Sequence, residues 1–426
     1  MKEDFLYFLW QFQYFHKHDL YTDEGEPLQV LYQGYQNEHS GPDFSEVRIN
    51  IAGIEWAGNV EIHVKSSDWY MHGHQNNRAY DNTVLHVVWH NDKAVSRTDG
   101  TLIPTLSLQN LVDQQLLEKY KVLKQSLSGV ACKEHFLSVN RLTKLAMLDR
   151  VMMERLERKA EEVLGIWQGT GGDWEETAYR LLSRSLGGSA NKEAFLRLAG
   201  AVPFKRILQH VDQPAQVEAM LFGQSGLLPE VSDENYPTFL KKEYSFLSHK
   251  YAFGTGQMKA EEWKFARLRP AGFPTMRIAQ LSAILTKNHR FFSKLILLEE
   301  QDALMDLLEA DVSEYWQEHY FFGKKGKGTR LGKQMISGMI INTVVPLLVA
   351  FSRVKGVDRY QNKAIQLLER LPSEQNKIIR DWKALGLHCG SAFDTQACIE
   401  LYNNYCKSKR CLSCCIGVNL LKRQKA

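Results

Sequence analysis

An acid, an imidazole and an amine recur at every second position in Glu61, His63 and Lys65. Strand side chains alternate between faces, so this spacing sets the three in a row, with Val60, Ile62 and Val64 on the opposite, apolar face. Asp43 stands at the root of the same hairpin, in the run Gly41-Pro-Asp-Phe44. Carboxylates from adjacent strands suit a hard divalent ion such as magnesium or manganese. Such an ion lowers the pKa of a bound water and offsets the charge that builds on a phosphate. Lys65, or His63, would then orient the water. The catalytic candidates are therefore Asp43, Glu61, His63 and Lys65, with Asp43 and Glu61 as metal ligands. The bland alternative is a solvated row of charges on an exposed sheet face.

A second chemistry competes. The chain has 14 histidines, and His63, His72, His74, His86 and His90 crowd into one short stretch. Imidazoles converging with Glu61 and Asp68 could bind zinc or a redox-active metal. His72, His74 and His86 would then be ligands of a histidine-carboxylate zinc hydrolase. The alternative is a set of hydrogen-bonded core histidines and solvated loop histidines. Near the C-terminus, Cys406, Cys411 and Cys414 have metal-ligand spacing, with zinc as the first choice and the fourth ligand open. Two basic elements are candidates for nucleic-acid contact, DNA or RNA: Arg267, Arg269 and Arg277 around RPAGFP, and Lys324 and Lys325 in a glycine-rich loop. That loop lacks the GxxxxGK[ST] order of a nucleotide-binding P-loop, and a solvated loop is its plainer reading.

The elements that must position these residues follow from periodicity. Residues 4–17 carry Phe5, Phe8, Leu9, Phe12 and Phe15 at helical spacing, which predicts a helix with an aromatic face. Short strands are expected at 28–32, 83–90 and 102–106, with a hairpin turning at Ala52-Gly53 and a polar loop at 66–77. From residue 111 the pattern turns helical, with long amphipathic stretches at 112–127 and 141–167. The expected fold class is α+β: an α/β module with a small mixed sheet over 1–110, a larger all-helical region over 111–385, and a Cys-rich tail over 386–426 packed on the helical region.

At 426 residues, two or three domains are expected. The net charge of +4 permits a polyanionic partner without requiring one. The start, with acids at positions 3 and 4, is unlike a signal peptide. The apolar run 339–351 is shorter than the ~20 residues of a membrane span. A reducing cytoplasm fits the clustered cysteines. Oligomeric state is not legible.

The motif GPDF, followed by a strand with acidic and basic residues two apart, resembles the PD-(D/E)xK nuclease superfamily. That resemblance implies a metal-dependent nuclease acting on phosphodiester bonds. Asp43 and Glu61 would hold the metal, His63 or Lys65 would take the lysine's place, and the first helix would often supply another acid. The order Glu-Ile-His-Val-Lys departs from the acid-x-Lys spacing. The resemblance also admits an iron-sulfur cluster at the C-terminal cysteines, as second choice to zinc. The alternative is a non-catalytic nucleic-acid- or protein-binding scaffold that keeps a nuclease-like fold. Over nearly its whole length, through SGPDF, GNVEIHVKSSDW, LHVVWHND, RLRPAGFPTMR, INTVVPLL and YCKSKRCLSC, the chain resembles an uncharacterised bacterial family.

Overall fold

The computed structural model describes residues 2–422 except 38, 127, 254–255 and 327–329. The chain divides into two compact units, Met1–Met147 with Leu401–Ala426, and Leu148–Glu400. The expected boundaries near 110 and 385 differ from these. The helix after the sheet stays with the first unit because Leu116, Leu117, Tyr120 and Leu123 bury into the sheet's own core. The tail from Leu401 also belongs to this unit, since Leu421, Leu412 and Val418 join that core.

In the first unit, α1 (Glu3–Phe12) buries Phe5, Leu6, Phe8, Leu9 and Trp10. It ends sooner than periodicity predicts, because Gln13 turns left-handed and its amide closes the helix on Trp10. The strands are β1 (Leu28–Tyr32), β2 (Tyr35–Gln36), β3 (Phe44–Ile51), β4 (Ile54–Lys65), β5 (Thr83–His90) and β6 (Thr105–Ser107). They form one mixed sheet in the order β1-β3-β4-β5-β6, with β2 on β3. β3 and β4 are antiparallel, whereas β4, β5 and β6 run parallel.

The β3–β4 turn falls at Ala52-Gly53, both at positive φ, as a two-residue turn that matches strand twist requires. A bulge interrupts β3 between Phe44 and Val47, with the exposed Glu46 at positive φ. Bulges bend a strand and re-aim its neighbours, and this one lies next to Asp43.

β4 is buried on both faces, which decides between the two readings of its charged row. Val60 and Ile62 pack with α1 and with α3 (Gln114–Gln125) in the main core. On the other face Glu61 and His63 are also buried, at 4% and 1% exposure. The chain between the parallel strands β4 and β5 must cross over. That crossover, α2 (Asp68–Met71) followed by short turns through Tyr80, covers this second face. Trp69 anchors it, fully buried beside Tyr80, Val95 and Ile103, with its Nε1 donating to Ser96 O at 3.1 Å.

Among the described residues the second unit is helical, apart from a two-stranded hairpin, His319–Phe321 with Lys324–Lys325. Helix Lys333–Lys355 is long and apolar enough to cross a membrane, although the apolar run 339–351 within it is shorter than a span. It is 78% buried over its apolar window, the pattern of a core helix. Its apolar run continues past Asn342 and Pro346 through a π-helical turn at Ile340–Val344.

Candidate metal centre

Asp43 and Glu61 face each other and lock each other's strand. The Asp43 amide donates to Glu61 Oε2 at 3.1 Å, and the Ile62 amide donates to Asp43 Oδ2 at 2.9 Å. From α1, the Tyr7 hydroxyl donates to the Asp43 carboxylate, and Glu3 is close enough to raise both acids. Burial, reinforced by Glu61, pushes Asp43 up to about 7, and burial pushes Glu61 up to about 8. Glu3 is raised by burial as well. Without a cation, the acids therefore hold protons that ordinary carboxyls lose.

Imidazoles close the other side. His63 Nε2 lies 3.1 Å from His72 Nδ1 and 3.6 Å from Glu61 Oε1. His74 Nε2 lies 3.1 Å from Glu61 Oε1. One ring nitrogen from each of His63, His72 and His74 falls within 4.8 Å of the others. Although close to Glu61, His74 Nε2 makes no hydrogen bond.

The outer contacts fix ring orientation. His63 Nδ1 meets His86 Nε2 at 2.8 Å, and β-pairing sets Glu61 directly opposite His86. If Nδ1 of His63 carries the proton, its Nε2 lone pair is free for a metal, the usual arrangement of an oriented ligand histidine. Burial drives the pKa of His63 down to about 2 and that of His86 to about 3, so both rings are neutral. Tyr80 stacks on His74 at 3.9 Å, and Trp69 meets both His74 and His86 edge-on.

Zinc–ligand bonds of about 2.0–2.1 Å place tetrahedral ligands about 3.3 Å apart. The separations of His63 from His72, of His74 from Glu61 and of His63 from Glu61, at 3.1, 3.1 and 3.6 Å, bracket that value, and the three imidazoles lie within 4.8 Å of one another. His63, His72 and His74 could hold one transition-metal ion, with Glu61, Asp43 and Glu3 as a carboxylate pole beside it. His72 is the exposed member and leaves a way in.

The structure thus gathers Asp43, Glu61, His63, His72, His74 and His86. It leaves Lys65 exposed at the end of β4 and His90 exposed opposite it. Asp68 is occupied, accepting the Lys65 amide at 3.0 Å. Glu3 and Tyr7 escaped the sequence reading; their i, i+4 spacing on α1 was the available signal.

Cys406 closes a π-helical turn, Tyr402–Cys406, and Cys411 opens a short 3-10 turn. Cys414 is buried just before helix Cys415–Lys422. Cys389 and Cys398, in the second unit, pair their thiols at 3.6 Å. Also in the second unit, Arg267 and Arg269 are exposed, whereas Arg277 is partly buried and donates to Gln280 at 2.8 Å. Lys324 and Lys325 are exposed on the small hairpin.

No curated protein matches the chain, and no solved structure matches it. The chain belongs to the family described as Protein of unknown function (DUF2851), which matches it over residues 3–377.

Proposed function

We propose that the first unit is a metal-dependent hydrolase of phosphodiester bonds in nucleic acid, with His63, His72 and His74 as the ligands of its metal and Glu61 as the adjoining carboxylate. The observation that carries this reading is the convergence of ring nitrogens from His63, His72 and His74 within 4.8 Å of one another, with Glu61 Oε1 3.6 Å from His63 and 3.1 Å from His74. Three imidazoles shift the choice of ion from magnesium or manganese to zinc, since imidazole suits zinc and carboxylate oxygen suits the harder ions. This combines the zinc chemistry of the histidines with the substrate class that the nuclease resemblance implies. Glu3 supports that substrate class, because it gives the first helix the acid that the resemblance leads one to expect.

The ion, when bound, supplies Lewis acidity at the phosphate and an acidified water. The chain's own residues supply the rest. Asp43, held by the Ile62 amide and the Tyr7 hydroxyl, accepts a proton from the attacking water. His86 holds the His63 ring in place. Lys65, exposed at the strand end, meets the phosphate backbone.

The test is cleavage of single- and double-stranded DNA and RNA by the full chain with zinc, manganese or magnesium. Metal-dependent cleavage that disappears in Asp43→Asn while metal loading persists supports the reading. Binding without cleavage by the fully loaded protein overturns it in favour of a scaffold.

A further inference from the structure

The sequence left the C-terminal cysteines without a fourth ligand, and the fold supplies one from far upstream. Cys132 and Cys411 pack against the same core as Leu123 and Leu421. The turn that carries Cys132 is pressed onto the turn that carries Cys406: a Cβ at Gly129 would stand 3.0 Å from the Tyr402 hydroxyl. Lys409 Nζ donates to Lys124 O at 2.8 Å, tying the loop between Cys406 and Cys411 to the end of α3. The Cys415 amide donates to the Met147 sulfur at 3.3 Å. The last helix closes over Cys411, where a Cβ at Gly417 would meet the Cys411 carbonyl at 2.2 Å, so only glycine fits there. At Cys406, charge on any of Cys132, Cys411 or Cys414 is felt.

From this geometry we infer that Cys132, Cys406, Cys411 and Cys414 form one four-thiolate site for an iron-sulfur cluster. Spread decides the class of metal. A single zinc ion with bonds of about 2.3 Å draws its sulfurs to about 3.8 Å from one another. Among the described residues, no three of these sulfurs lie within 4.8 Å of each other. A cluster several atoms across spreads its thiolates more widely, and the spacing Cys406-x4-Cys411-x2-Cys414 is one that [2Fe–2S] clusters use.

Two further features suit a sulfur ligand set of net negative charge. The amides of Ile416 and Gly417 donate to the Cys414 sulfur. Burial raises the Cys411 thiol, and Lys124 and Lys409 stand near enough to offset part of that rise. Such a cluster would staple the segment 401–422 onto residues 129–147, within the first unit. It is separate from the histidine site, and either can fail without the other.

The test is iron and acid-labile sulfide per chain in full-length protein purified without oxygen. Both are expected in stoichiometric amounts, with the visible absorption of thiolate-ligated iron. Cys132→Ser should lose them as fully as Cys411→Ser, while Cys415→Ser and Cys389→Ser keep them. Because a variant can lose its fold, the wild-type protein is also alkylated before and after iron is chelated, with the modified residues read by mass spectrometry. Cys132, Cys406, Cys411 and Cys414 should become reactive together. Loaded protein without sulfide, full loading in Cys132→Ser, or alkylation of Cys132 while the other three stay protected would each overturn the inference.

Discussion

Replacing Glu61 by glutamine should stabilise the metal-free protein. The carboxyl is 4% exposed and lies near Glu3, so ionising it in the fold is unfavourable. Its pKa stands at about 8 against an ordinary 4.5. At pH 7 the unfolded chain has released this proton and the folded chain has not, which destabilises the fold by about 3 kcal/mol. Glutamine keeps an oxygen for the Asp43 amide but buries an unmatched amide beside His74, at a cost of about 1 kcal/mol. The net gain is about 2 kcal/mol, or about 6 °C in Tm for a unit of this size. The sign follows from linkage. A raised carboxyl contributes stability that is complete below its unfolded pKa and lost as pH rises through the folded value. The advantage of Glu61→Gln should therefore be small near pH 4.5, grow through pH 7 and level off above pH 8. Thermal unfolding of both proteins, stripped with chelator, across that range reads it directly. A variant less stable than wild type at pH 7.5, or a difference that does not change with pH, would refute the reasoning.

Three more outcomes are expected. Metal-free wild type should be most stable near pH 5–6.5, as far as this site contributes. Asp43 and Glu61 weaken it as pH rises toward 7–8, whereas His63 and His86, depressed to about 2 and 3, weaken it as pH falls below the ordinary histidine value; added zinc should therefore raise Tm more at pH 8 than at pH 6. His86→Ala should weaken metal affinity by about 10–100-fold by releasing the His63 ring, without removing a ligand, as a chelator competition would measure. Lys65→Ala should leave metal stoichiometry unchanged while lowering the cleavage rate and its salt dependence, because the side chain is exposed beyond the ligands.

Much of the sheet was legible because local rules governed it. The alternation through β4, the Ala52-Gly53 turn and the apolar run of β5 each specify a strand from a few neighbouring residues. The burial of both faces of β4 was not legible, because what covers Glu61 and His63 is a polar crossover whose only buried anchors are Trp69, His74 and Tyr80. Parity along β5 set His86 and His90 on one face. It could not show that the β4–β5 register puts His86 opposite Glu61 and in contact with His63. Glu3 was hidden by the stronger signal of the aromatic stripe on its helix. Cys132 and the return of the tail to the first unit depend on contacts between residues distant in sequence, and no periodicity encodes those.

The most direct measurement is zinc content per chain after dialysis, compared between wild type and His72→Ala, both in a Cys132→Ser background that removes the thiolate site. His72 is the exposed ligand, so its truncation leaves the buried core intact. One zinc per chain in the parent and none in His72→Ala is the result expected here. Equal zinc in both, or none in the parent, would contradict it.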